Sequence, residues 1–166
     1  MMGAEKAKKL AILGMAAAAA MILSYVESLI PTGIQGFKIG LANIFTVGVL
    51  YLYGWRSAAA VSAVRCTLTA LLFGSVLSFC YSAAGAALSL AVMTGLRRFD
   101  RFSHVGVSVC GGVAHNAAQT AVALFVTGVD EIAYLLPLLC VCGTVSGAFI
   151  GIATGIFIKR IEKAVK

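Results

Sequence analysis

The chain predicts an all-α membrane protein: a single compact bundle of six transmembrane helices with both termini in the cytoplasm. Three observations lead there. Of its 166 residues 61% are apolar and 11% charged, against about 25% charged in a soluble domain, and the mean hydropathy is +1.00. The apolar stretches are long enough for spans of about 20 residues. Eleven of the 13 Lys/Arg residues cluster at alternate breaks between those stretches: Lys6, Lys8 and Lys9; Arg56; Arg97, Arg98 and Arg101; Lys159, Arg160, Lys163 and Lys166. Short loops rich in Lys and Arg stay in the cytoplasm, which fixes the orientation. A net charge of +7 spread in this way marks topology and lipid headgroups, not a nucleic-acid-binding stripe.

The first helix is expected over residues 9–29. Only six residues, Leu10 to Met15, precede the alanine run, too few for a signal-peptide core, so the helix is retained. Pro31 ends it and opens an outer loop. The second helix, over 38–53, is short. Gly54 and Arg56 make the inner turn, beside Tyr51, Tyr53 and Trp55 at the interface. Helices over 56–73 and 77–96 follow, then the basic loop, then helices over 104–126 and 132–158. Asp130 and Glu131 mark the third outer loop. The five cysteines lie in apolar runs without a metal-binding spacing and read as small apolar filler.

Small residues repeat every four positions on the sixth helix (Gly143, Gly147, Gly151, Gly155) and on the fourth (Ala83, Ala87, Ala91, Gly95). Such stripes let helices approach closely and predict packing seams. Ala16 and Ala20 of the first helix share a face that would suit a partner protein.

Lys38 and Arg65 are the two cations that topology does not explain. Arg65 lies about 13 Å along its helix from Arg56, where an ionisable group is expensive and points to function. Ser62 and Thr69 share its face. Its two readings are an ion pair with Glu27 and a contact to an anionic or carbonyl-rich ligand. On the fifth helix His115, Asn116 and Gln119 form a polar cluster that needs partners in hydrocarbon. Lys38 and Asn43 enter the second helix from the outer loop that carries Gln35. Glu27, Gln35, Lys38, Asn43, His115, Asn116 and Gln119 all project to the outer half, with Arg65 as a floor. That convergence predicts an external binding site.

Two segments carry a family resemblance: P-T-G-I-Q-G-F-K-I-G-L-A-N (31–43) and G-G-V-A-H-N-A-A-Q (111–119). They resemble the Gx transporter family, also labelled heptaprenyl diphosphate synthase component I, which is similar to the substrate-binding S components of energy-coupling-factor (ECF) transporters. The resemblance spans about residues 8–160. It implies a six-helix S-component fold that captures a small molecule from outside, such as a vitamin, a flavin or an isoprenoid or quinone precursor. It also implies a bacterial cell-membrane location, a transmembrane coupling protein docked at Ala16 and Ala20, and two cytoplasmic ATPases. No ATP-binding signature occurs in the chain, so ATP would be used by those partners. No cofactor and no metal site is expected. Prenyl synthases hold Mg²⁺ and diphosphate with paired Asp-rich motifs. Only Asp130 and Glu131 are adjacent among the six acids here, so enzymatic activity is not expected. A non-transporting membrane anchor of a redox or isoprenoid-modifying complex is the second reading. A homo-oligomeric channel is a weaker third, for want of repeated polar rings.

Overall fold

A computed structural model describes residues 2–30, 40–99 and 101–165, with side chains through residue 160. Those residues are all-helical apart from short connections: α1 Met2–Ser28, α2 Asn43–Tyr53, α3 Trp55–Phe73, α4 Val76–Arg97, α5 His104–Thr127 and α6 Leu136–Val165, with a short 3-10 helix Asp130–Leu135 before α6. Five of these segments are long and apolar enough to cross a membrane, and the chain is a multi-pass membrane protein. The sixth, α2, has 11 residues. At 1.5 Å per residue it is about 16 Å long, roughly half of a hydrocarbon core.

The ends of the helices follow from local chemistry. The Ser75 hydroxyl accepts from the Ser78 backbone N–H to start α4, and Ser103 accepts from Gly106 to start α5. Gly128, at φ 64°, closes α5, and Gly54, at φ 83°, makes the one-residue turn between α2 and α3. Both need a backbone that only glycine adopts freely. The expected start of the second helix at residue 38 is corrected to Asn43. Gly40, at φ 92°, takes the left-handed conformation, and Leu41 and Ala42 form a turn before the helix begins.

α2 is central. It packs against α1, α3 and α6 and touches α4, while α5 is clasped between α4 and α6. A short helix buried this way leaves terminal peptide groups in a medium without water. Opposite charges from two other helices meet them. At its N-terminal end the Glu27 carboxylate accepts from the Leu41 N–H at 2.5 Å, with the N–H groups of Gly40 and Ala42 also facing it. At its C-terminal end the Arg97 guanidinium donates to the carbonyls of Leu50 and Tyr51 and lies over the Tyr51 ring. Anion at the N-terminus and cation at the C-terminus is the arrangement that the helix dipole favours.

The interior is divided along the bundle. Towards the end that carries Lys9, Arg56 and Arg97, here the basic end, Val47, Leu50, Ala58, Val61, Met93 and Val107 form an apolar core. Towards the opposite end buried polar side chains gather, among them Glu27, Asn43, Arg65, His115 and Gln119. The outer surface is apolar, with Phe125, Leu71 and Leu138 exposed, as a lipid-facing mantle requires.

The α5–α6 interface confirms three of the four glycines expected to pack α6. A Cβ on Gly143 would lie 2.7 Å from the Gly112 carbonyl oxygen, one on Gly147 2.7 Å from that of Ser108, and one on Gly151 2.6 Å from the Val105 Cα. Gly155 is corrected: a Cβ there would meet nothing within 4 Å, because α5 begins at His104 and has no backbone at that level. The α4 stripe is corrected too. Ala87 and Ala91 are exposed, and the buried face of α4 is instead Ser78, Tyr81, Ser82, Gly85, Ala86, Ser89 and Met93. Hydroxyl groups and glycines turn inward here because the interior they meet is polar.

Candidate functional site

The polar end of the bundle gathers side chains from α1 to α5 around the start of α2. Arg65 on α3 is 3% exposed. Its Nη1 donates to the Ser24 hydroxyl of α1 at 3.0 Å, while among the described residues Nε and Nη2 have no hydrogen-bond partner, the sense in which the atoms below are unpartnered. Those two nitrogens form one edge of the guanidinium, the edge that grips a carboxylate or phosphate with two parallel bonds. One turn on, the Thr69 hydroxyl is also buried and unpartnered. One turn back, Ser62 bonds Thr46 of α2 at 3.0 Å. The polar seam expected along α3 is therefore buried as a unit.

Glu27 does not bond Arg65 directly. One carboxylate oxygen is committed to the backbone before α2 and the other has no partner, with Arg65 near enough to act on it through its charge. Of the two readings for Arg65, the structure leaves a long-range pairing with Glu27 and an open guanidinium edge.

On α5, His115 is seated against Gly85 of α4, where a Cβ would come within 2.7 Å of the imidazole. Its Nε2 is 3.0 Å from Gln119 Nε2, and the ring edge faces Gly40 beside the Asn43 amide. Gly85 is thus a glycine because the imidazole occupies the space of its side chain. Gln119 is fully buried with its Oε1 unpartnered. Asn116, also fully buried, donates from Nδ2 to the Leu139 carbonyl of α6 at 2.6 Å and leaves its Oδ1 unpartnered.

Glu27, Asn43, Arg65, His115, Asn116 and Gln119 accordingly share one buried layer. Gln35 and Lys38 fall outside the described residues. Beneath Gly40 and Asn43 a cleft with about 10 Å³ of free space reaches between α4, α5 and α6, lined by Ser89, Ser108 and Ser146. Sites for drug-sized ligands run from about 300 to 1,000 Å³, so this cleft is narrower than such a ligand needs.

Sequence reasoning missed three participants, Ser24, Gly40 and Gly85, and, at the far end of α2, the role of Arg97. Ser24 precedes Glu27 by three residues and so shares its face, and Ser78, Ser82, Gly85 and Ser89 recur at helical spacing in an otherwise apolar helix. Both signals were present in the pattern. Arg97 was absorbed into the count of topological charges. The structure turns the two alanines expected to dock a partner at least partly toward the bundle itself. Ala20 is fully buried inside the bundle, and Ala16 is half-buried where α1 meets α2, because side chains this small let α1 lean onto its neighbours.

No curated protein and no solved structure matches the chain significantly. The family model described as heptaprenyl diphosphate synthase component I matches residues 16–157, and the chain belongs to that family.

Proposed function

We propose that the protein is the substrate-capture subunit of an ECF-type importer in the bacterial cytoplasmic membrane, with the basic end inward and the polar layer towards the outside. The observation that carries this reading is the set of buried polar atoms that no described residue partners in that layer: Nε and Nη2 of Arg65, Oε2 of Glu27, Oε1 of Gln119 and Oδ1 of Asn116. Buried polar groups in native proteins are nearly always satisfied. In hydrocarbon each orphan is expensive, and a ligand that supplies the missing donors and acceptors relieves several at once. The open guanidinium edge favours a ligand with a carboxylate or phosphate group. Its entry widens the narrow cleft below Gly40 and Asn43.

On this reading a membrane coupling protein binds the bundle and two cytoplasmic ATPases supply the energy. The chain itself performs no prenyl transfer. Mg²⁺-dependent prenyl elongation by the purified chain would overturn that last statement. Native mass spectrometry of the protein purified gently from its own host tests capture. A co-purifying small molecule, retained by wild type and lost in Arg65→Gln, supports the reading. An empty protein carrying stoichiometric partners without ATPase subunits overturns it.

A second reading, a non-transporting scaffold, draws support from the packing of the same residues. Asn116 ties α5 to α6, and His115 fills the space over Gly85. There the α5 cluster is structural glue, and the purified protein carries no small molecule.

A further inference from the structure

Thr154 lies outside the polar layer, towards the basic end of α6. It is 1% exposed, and among the described residues its hydroxyl has no hydrogen-bond partner. It lines a lateral groove of about 450 Å³ between α1 and α6, with α2 as the floor. Ala16 and Ala19 form one wall, Thr154 and Phe157 the other, and Phe45 and Gly48 lie beneath.

Gly48 is the second observation. Glycine inside a helix is unfavourable and usually has a packing reason. At Gly48 no neighbour demands it: the residue is buried, yet a Cβ there would meet nothing within 4 Å. The floor is thus recessed and still has room for a methyl group. A partner helix, about 10–12 Å across, is too broad to reach it. A file of methylene groups is narrow enough.

The third observation is charge at the groove's basic end. Tyr53 lines the groove there, and Lys9 Nζ lies 5.6 Å from the centre of its ring. Lys159 and Arg160, both exposed, follow Thr154 by five and six residues, a rise of about 7.5–9 Å. Cations at this level attract anionic headgroups.

We propose that the groove is a binding site for an anionic phospholipid of the leaflet at the basic end. One acyl chain lies over Gly48, an ester carbonyl accepts from the Thr154 hydroxyl, and the phosphate sits near Lys9. The site is separate from the polar layer and does not depend on the capture reading.

The test is native mass spectrometry of the full-length protein in neutral detergent, titrated with phosphatidylglycerol and with phosphatidylcholine of the same chain lengths. Wild type is expected to retain one phosphatidylglycerol about fivefold or more in preference to phosphatidylcholine. Gly48→Leu fills the floor and should weaken retention of both lipids about tenfold with an unchanged unfolding temperature. Lys9→Gln should remove most of the preference and keep the residual binding. Should Gly48→Leu misfold, Thr154→Val, which keeps shape and loses the hydroxyl, carries the test with a several-fold loss. Equal retention of the two lipids by wild type overturns the proposal. So does retention that both Gly48→Leu and Thr154→Val leave unchanged, or a polypeptide found in the groove in place of lipid.

Discussion

Alanine at Gly147 and alanine at Gly155 are the same substitution on the same helix, yet the packing gives them opposite signs. At Gly147 the new methyl would stand 2.7 Å from both the Ser108 carbonyl oxygen and the Val109 Cα. Ordinary contact begins at 3.4 Å, so α5 must retreat by at least about 0.7 Å. Backbone atoms cannot rotate aside as a side chain can. Overpacking of this kind costs about 1–3 kcal/mol, and alanine returns about 0.5–1 kcal/mol as the better helix former. The net loss is about 1–2 kcal/mol, aggravated because packing is a principal force between helices in lipid. At Gly155 only the second effect operates, and alanine should stabilise by about 0.5–1 kcal/mol. Reversible unfolding of both variants in mixed detergent micelles, followed by circular dichroism, reads the two shifts. Equal behaviour of the two variants, or a loss at Gly155, would refute the close α5–α6 seam.

Three further outcomes follow from the described contacts. Arg97→Gln removes the cation at the C-terminal end of α2 and should lower stability by about 1–2 kcal/mol, with Arg97→Lys intermediate; the same unfolding assay checks both. Asn116→Ala breaks the bond to the Leu139 carbonyl and should cost about 0.6–1.7 kcal/mol, the range for interhelical hydrogen bonds in membranes. If ligand loss in that variant exceeds what its reduced stability explains, as judged by native mass spectrometry beside unfolding, Asn116 also contacts substrate. Gly48→Ala should be stabilising by about 0.5–1 kcal/mol, and a destabilised variant would show that the groove over α2 is already filled by protein.

Much of the fold was legible because hydrophobic length and the Lys/Arg pattern report on single helices against lipid. Five spans and their breaks follow from that alone. Which face turns inward does not. The Ala83–Gly95 stripe on α4 looked like a packing seam because small residues usually are one, but the interior is polar there and recruits Ser82, Gly85 and Ser89. Gly155 kept the period of four beyond the point where α5 ends. Arg65, His115, Asn116 and Gln119 could be read as a buried group because ionisable and amide side chains in a span demand explanation. Their partners could not, since Ser24, Gly40 and Leu139 offer only a hydroxyl or backbone atoms, which carry little signal in composition. The role of Arg97 was hidden for a different reason: an arginine at a loop edge serves orientation and a helix end equally well, and only three-dimensional proximity distinguishes them.

The clamp on α2 has a consequence for how the chain is made. Leu50 precedes Arg97 by 47 residues, and chains are synthesised at about 5–20 residues per second. For about 2–9 s, then, the newly made α2 has its carboxylate from α1 and lacks its guanidinium from α4. During that interval the Leu50 carbonyl has only the Gly54 N–H as donor, and the Tyr51 carbonyl belongs in the wet interfacial zone. The short helix settles to its final depth only once the second half of the protein arrives to receive it.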